Sequence, residues 1–113
     1  MQEKELTQKK CVPCRGGVPP MEADKARDYI AATPGWKLAD NATRISRKFE
    51  FATFPKAIDF VVRVAELAEG EGHHPDFEIH YNKVDIILWT HKINGLHEND
   101  FIMAAKINGL TGK

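Results

Sequence analysis

Neither sign of charge is in excess in this 113-residue chain: Lys and Arg number 16, Asp and Glu number 16, and the formal charge is zero. Without a basic surplus, neither nucleic acid nor an anionic membrane surface can hold it by bulk electrostatics. Long apolar runs are missing too. Even Ile86-Ile87-Leu88-Trp89 falls far short of the roughly 20 residues of a membrane span. The first twenty residues alternate charge with Gly and Pro and hold no apolar stretch of the kind a secretory signal requires. Cysteine is scarce. Cys11 and Cys14 cannot make a disulfide scaffold, which points to a reducing compartment. These absences predict a small cytoplasmic protein with no nucleic-acid or membrane partner. What is present suits one globular domain: 42% apolar and 28% charged residues, too apolar for disorder.

Residues 1–20 read as a flexible N-terminal arm carrying the Cys11-x-x-Cys14 pair, because the run from Pro13 to Pro20 is rich in Gly and Pro. The single domain then takes residues 21–113. Its pattern opens with a helix over 22–32, ended by Thr33-Pro34-Gly35. Strands over 36–39 and 43–51 follow, joined at Asp40-Asn41. The clearest helix spans 53–69, with Thr53 as cap and Pro55 in the first turn. At about 100° per residue its charged positions fill an arc of about 80°, while Phe54 through Ala68 spread apolar groups over about 220°. One sheet face cannot bury a stripe that wide. Either another subunit covers it, or the first helix or the arm does. Gly70 and Gly72 are read as the stop. Strands over 77–82 and 84–91 follow, with the turn at Asn82-Lys83, and a last helix covers 98–107 before Gly109. The order α-β-β-α-β-β-α predicts an α+β fold, a four-stranded antiparallel sheet with three helices on one face.

Three histidines stand at the ends of these elements. His73 and His74 follow the long helix, and Pro75 forces His74 into an extended backbone. His91 closes the last strand. A hairpin turning near Asn82 sets it opposite residue 74, so three imidazoles gather at one end of the sheet. Asp100, in the first turn of the final helix, neighbours them, and the helix dipole favours its carboxylate there. Three readings stay open: a three-imidazole zinc site, metal-free general acid–base work, or ordinary loop-end histidines. Adjacent residues of an extended chain project to opposite sides, which weighs against the metal. Cys11-x-x-Cys14 reads first as structural or incidental, with half of an intersubunit metal site and a redox pair as the alternatives. His80 points to the opposite sheet face from Ile79 and Tyr81, and neither it nor His97 is assigned chemistry. Trp36 and Trp89 read as packing residues, although an aromatic beside the cluster could stack on a flat heterocycle.

The run Glu69-Gly70-Glu71-Gly72-His73-His74-Pro75-Asp76-Phe77, then Tyr81-Asn82-Lys83-Val84, Thr90-His91 and Gly95-Leu96-x-x-x-Asp100, resembles the pterin-4a-carbinolamine dehydratase family. The resemblance runs from about Met21 to the C-terminus. It implies a hydro-lyase that needs neither metal nor cofactor. The reaction removes water from a 4a-hydroxytetrahydropterin and gives the quinonoid dihydropterin for recycling. By this resemblance His73, His74 and His91 are catalytic, and Glu69, Pro75, Phe77 and Asp100 bind the substrate. It also implies a homodimer or homotetramer. Some family members serve as dimerisation cofactors of a transcription factor, so a non-catalytic binding module is the alternative. Two positions depart from the common pattern: Phe77 where many members have Trp, and His97 where a hydroxyl residue would cap the last helix. The second is expected to cost about 1 kcal/mol.

Overall fold

Two hairpins build the sheet. The computed structural model describes residues 1–13, 16–39 and 41–111. In it β1 (Lys37–Ala39) pairs with β2 (Arg44–Glu50), and β3 (Asp76–His80) pairs with β4 (Lys83–Leu88). The central β2–β4 pairing joins them, giving the antiparallel order β1-β2-β4-β3. Alternation along the strands sorts the two faces. Ile45 and Phe49 of β2 and Val84, Ile86 and Leu88 of β4 are buried, while Lys48 and Asp85 between them are not. Helices therefore cover one face only, and the fold is α+β as the residue pattern predicts.

The helices are α1 (Glu3–Thr7), α2 (Ala23–Ala31), α3 (Phe54–Glu71) and α4 (Glu98–Leu110). Thr53 caps α3 by accepting the Lys56 amide at 3.2 Å, with Pro55 in the first turn. Phe60 of α3 sits among Phe49 and Phe51 at centroid distances of 4.8 and 5.0 Å. Each large apolar side chain fully buried in this way contributes about 1.5–3 kcal/mol. Among the described residues no helix is long and apolar enough to cross a membrane.

Four expectations need correction. The first twenty residues are not a bare flexible arm, because residues 3–7 form α1, which packs on α4 with Leu6 fully buried in the common core. One apolar residue in a charged segment is a weak periodic signal, and its burial depends on a groove that only α4 supplies. Gly70 does not stop α3: the helix runs on to Glu71, and Gly72 caps it with φ +70°. Gly109 likewise lies inside α4. A glycine ends a helix only where the chain turns left-handed, and its neighbours decide that. The third correction concerns the second hairpin, which turns at Tyr81-Asn82, one residue earlier than expected, so that His80 pairs with Lys83. Tyr81 takes the left-handed conformation there, with φ +56°. Continued outward, that register would set His91 opposite residue 72 rather than 74. The fourth is that β4 ends at Leu88, and His91 opens a 3-10 turn, His91–Ile93. Asp40 of the first expected turn lies outside the described residues.

The over-wide stripe of α3 stays partly bare. Ala57, Phe60, Val64 and Ala68 are buried, whereas Phe54 and Val62 remain 45% and 50% exposed. α1 lies on α4 and α2 beside β1, so neither the arm nor the first long helix covers that face.

Candidate active site

One buried carboxylate ties three separate segments together. Asp100, in the first turn of α4, is fully buried, and its Oδ2 accepts the Thr90 hydroxyl at 2.9 Å and the His97 amide at 3.0 Å. Its Oδ1 lies 2.6 Å from Nε2 of His73. Three donors from three segments, at the positive end of a helix, make this a good place for a carboxylate. A carboxylate only accepts, so the hydrogen of the His73 contact sits on Nε2. In the neutral form of the ring, Nδ1 is then the acceptor.

His73 reaches this position because α3 ends abruptly. The Gly72 and His73 amides both donate to the Ala68 carbonyl, at 2.9 and 3.2 Å, so the chain reverses within two residues. His74 follows with Nε2 at 2.9 Å from Glu69 Oε1, a pair out in solvent that adds little to stability. Opposite, the Thr90 amide donates to the Gly95 carbonyl at 2.8 Å and closes a short loop, with Asn94 left-handed at φ +49°. That loop presents His91, whose ring packs on Trp89 at a centroid distance of 3.9 Å. Arg44 covers the Trp89 ring at 3.4 Å, and the Trp89 indole N–H donates to Asp76 at 3.1 Å. The indole is therefore a fixed platform for His91.

His73, His74 and His91 line one cavity of about 390 Å³ together with Trp89 and Thr90. The convergence expected from the sequence is present. Its route differs, since His91 arrives on a turn beyond the sheet and not on a strand. Glu69 and Asp100 do not line the cavity but hydrogen-bond His74 and His73, which do. Pro75 and Phe77 are not among its lining residues. Pro75 sets the chain's direction, and Phe77 packs half-buried against the core and borders a separate cavity of about 410 Å³ on the sheet. His97 stays out of the cavity but is not idle. Its Nδ1 accepts the Asn99 amide at 3.0 Å, so the imidazole itself caps α4 and the expected cap penalty does not arise.

Sequence reasoning missed Asn99, Val12 and Pro13, all of which line this cavity. Asn99 has no helical or strand spacing to the arm, so nothing in a one-dimensional pattern pairs them. Glu71 and Lys106 were missed for the same reason, and their ion pair is 2.6 Å long. Burial pushes the Glu71 carboxyl up, but its bonds to Lys106 and to the Cys11 amide outweigh this and hold it below the ordinary 4.5. The Cys11 thiol is pushed up to about 12, by burial first and then by the Glu71 charge. At neutral pH it is a thiol in this setting, not the thiolate that disulfide exchange uses. Cys14 lies outside the described residues. Among the described residues, one group has three ligand atoms within 4.8 Å of one another, namely Glu78, His80 and Asp85. It lies on the open sheet face, away from the cavity.

The family profile described as pterin 4 alpha carbinolamine dehydratase matches residues 19–110. The chain belongs to this family. A relative from Methylococcus capsulatus with a provisional pterin-4-alpha-carbinolamine dehydratase name is 50% identical over 108 residues, covering 96% of this chain and 95% of its own. Arabidopsis thaliana has a mitochondrial pterin-4-alpha-carbinolamine dehydratase 2 that is 48% identical over 110 residues, covering 94% of this chain and 59% of that protein. A crystal structure from Brucella melitensis, described as a transcriptional coactivator/pterin dehydratase, superposes with a TM-score of 0.77 at 35% identity. That superposition covers 82% of this chain and 99% of the Brucella chain. The family membership places His73, His74, His91 and Asp100 inside the matched region.

Proposed function

We propose that the protein dehydrates a 4a-hydroxytetrahydropterin to the quinonoid dihydropterin by histidine acid–base chemistry. The observation that carries this reading is the meeting of three imidazoles over one cavity, with the ring of His73 backed by the buried carboxylate of Asp100. Elimination must break the C4a–O bond and remove the N5 proton. One imidazole takes that proton while a second, protonated, gives its own to the departing hydroxyl, which leaves as water. No net proton is consumed. Positioned acids and bases of this kind each contribute about 10²–10⁴-fold.

His73, with Nε2 held by Asp100, and His91, stacked on Trp89, carry the two transfers. His74, tethered to Glu69 in solvent, orients the heterocycle. Coupled imidazoles titrate as a set, so acid and base are assigned to the pair and not to either ring. The test is stopped-flow decay of enzymatically generated 4a-carbinolamine. Addition of the protein should accelerate it in proportion to concentration, and an unchanged decay would remove the reading.

The exposed Phe54 and Val62 on α3 support a homodimer or homotetramer, since an uncovered apolar stripe of this kind marks an interface. Sedimentation should return a mass two or four times the 12.7 kDa of the chain, and a monomer at micromolar concentration would count against it. The same face also suits a non-catalytic binding module, in line with the coactivator description of the Brucella structure. Pterin binding without faster water loss would favour that second reading.

A further inference from the structure

We infer that Val12 and Pro13 of the N-terminal arm form an apolar wall of the substrate site and help decide which ligand the cavity admits. This rests on the dehydratase reading of the cavity. Val12 and Pro13 line it beside His73, His74 and His91. They stand before residue 19, where the family match begins, so this wall comes from outside the part of the chain that carries the histidines.

The wall is fastened on both sides. Asn99, 2% exposed and next to Asp100, grips Val12 at two points. Its Oδ1 accepts the Val12 amide at 3.0 Å, and its Nδ2 donates to the Val12 carbonyl at 2.7 Å, much as a neighbouring strand would. The Cys11 amide donates to Glu71 Oε1 at 2.9 Å, and Lys106 fixes that carboxylate from its other oxygen at 2.6 Å. Upstream, Leu6 is locked in the core and Lys9 reaches Glu98. Downstream, the Met21 amide donates to the Leu96 carbonyl at 2.8 Å. Pro20 presses on Gly95 so closely that a Cβ there would meet it at 2.5 Å. Both ends are pinned, so the wall cannot swing out without breaking the grips of Asn99 and Glu71.

Its chemistry follows from those bonds. The amide and carbonyl of Val12 are taken by Asn99, and Pro13 has no N–H. Toward a ligand the arm presents Val12, 56% exposed, and the Pro13 ring. The histidines meet the polar edge of a flat heterocycle, and the arm meets an apolar part of it.

Two variants of the full chain test this against wild type: Val12→Trp, which fills the space in front of the wall, and Asn99→Ala, which releases it. Each should raise KM for the carbinolamine about tenfold, the size of effect expected when a ligand can no longer pack against one apolar side chain, with kcat within about twofold. The affinity for 7,8-dihydrobiopterin, read by tryptophan fluorescence, should fall by the same factor. If the wild type dehydrates and both variants match it in KM and in dihydrobiopterin affinity, the wall is not part of the site and the dehydratase reading stands. If the wild type neither dehydrates nor binds dihydrobiopterin, both fall. Should Asn99→Ala fail to fold, Val12→Trp decides alone, since Val12 is exposed and its side chain holds nothing in place.

Discussion

His73→Ala should slow dehydration of the 4a-carbinolamine at least a hundredfold, and His91→Ala should do the same. Each removes a ring placed to move one of the two protons, and such groups are worth about 10²–10⁴-fold. The two substitutions differ in their structural consequences. His73 is nearly enclosed, with 10% of its side chain exposed, and its removal leaves one Asp100 oxygen without its donor. His91 is exposed and its ring stacks on Trp89, so its alanine variant should melt like the wild type. His74→Ala should act mainly on KM, because the His74–Glu69 pair lies in solvent. His80→Ala, on the far sheet face, should change neither constant. Stopped-flow traces of the purified variants decide the matter. Wild-type rates in both His73→Ala and His91→Ala would overturn the assignment.

Asp100→Ala should cost stability as well as activity. Asp100 is fully buried and accepts from His73, Thr90 and His97. Removing it leaves three donors without their acceptor. At about 1–3 kcal/mol for each buried group left unpaired, and with two of them bordering the cavity, a total of about 3–5 kcal/mol is expected. For a domain of this size that corresponds to a fall in Tm of roughly 12–30 °C. Asp100→Asn separates the two effects. The amide keeps the shape and one acceptor oxygen, so melting should shift far less. It can also present an N–H to His73, which then holds the wrong tautomer, and kcat should drop about 10–100-fold. Calorimetry and stopped flow on both variants check this. An Asp100→Ala protein that melts at the wild-type temperature would show that the carboxylate ties nothing together.

The register of the second hairpin shows how far pattern alone reaches. Alternation in Val84, Ile86 and Leu88 identified the buried face correctly, because side-chain direction repeats every two residues whatever the turn. It could not locate the turn, which falls at Tyr81-Asn82 because Tyr81 accepts a left-handed backbone. His97 is a similar case. Its place before the last helix was legible, but a cap made by an imidazole nitrogen depends on ring rotation, and a residue type does not declare that.

The sequence by itself determined the α+β class, the sheet's buried face, the start of α3 and the gathering of His73, His74 and His91, because these follow from local periodicity and from the order of the elements. Only the tertiary structure decided that Leu6 belongs to the core, that Asp100 joins Thr90, His97 and His73, and that Asn99 holds Val12 against the cavity. The last of these links positions 87 residues apart. Which distant groups meet is set by how the helices pack on the sheet, and no spacing along the chain encodes it.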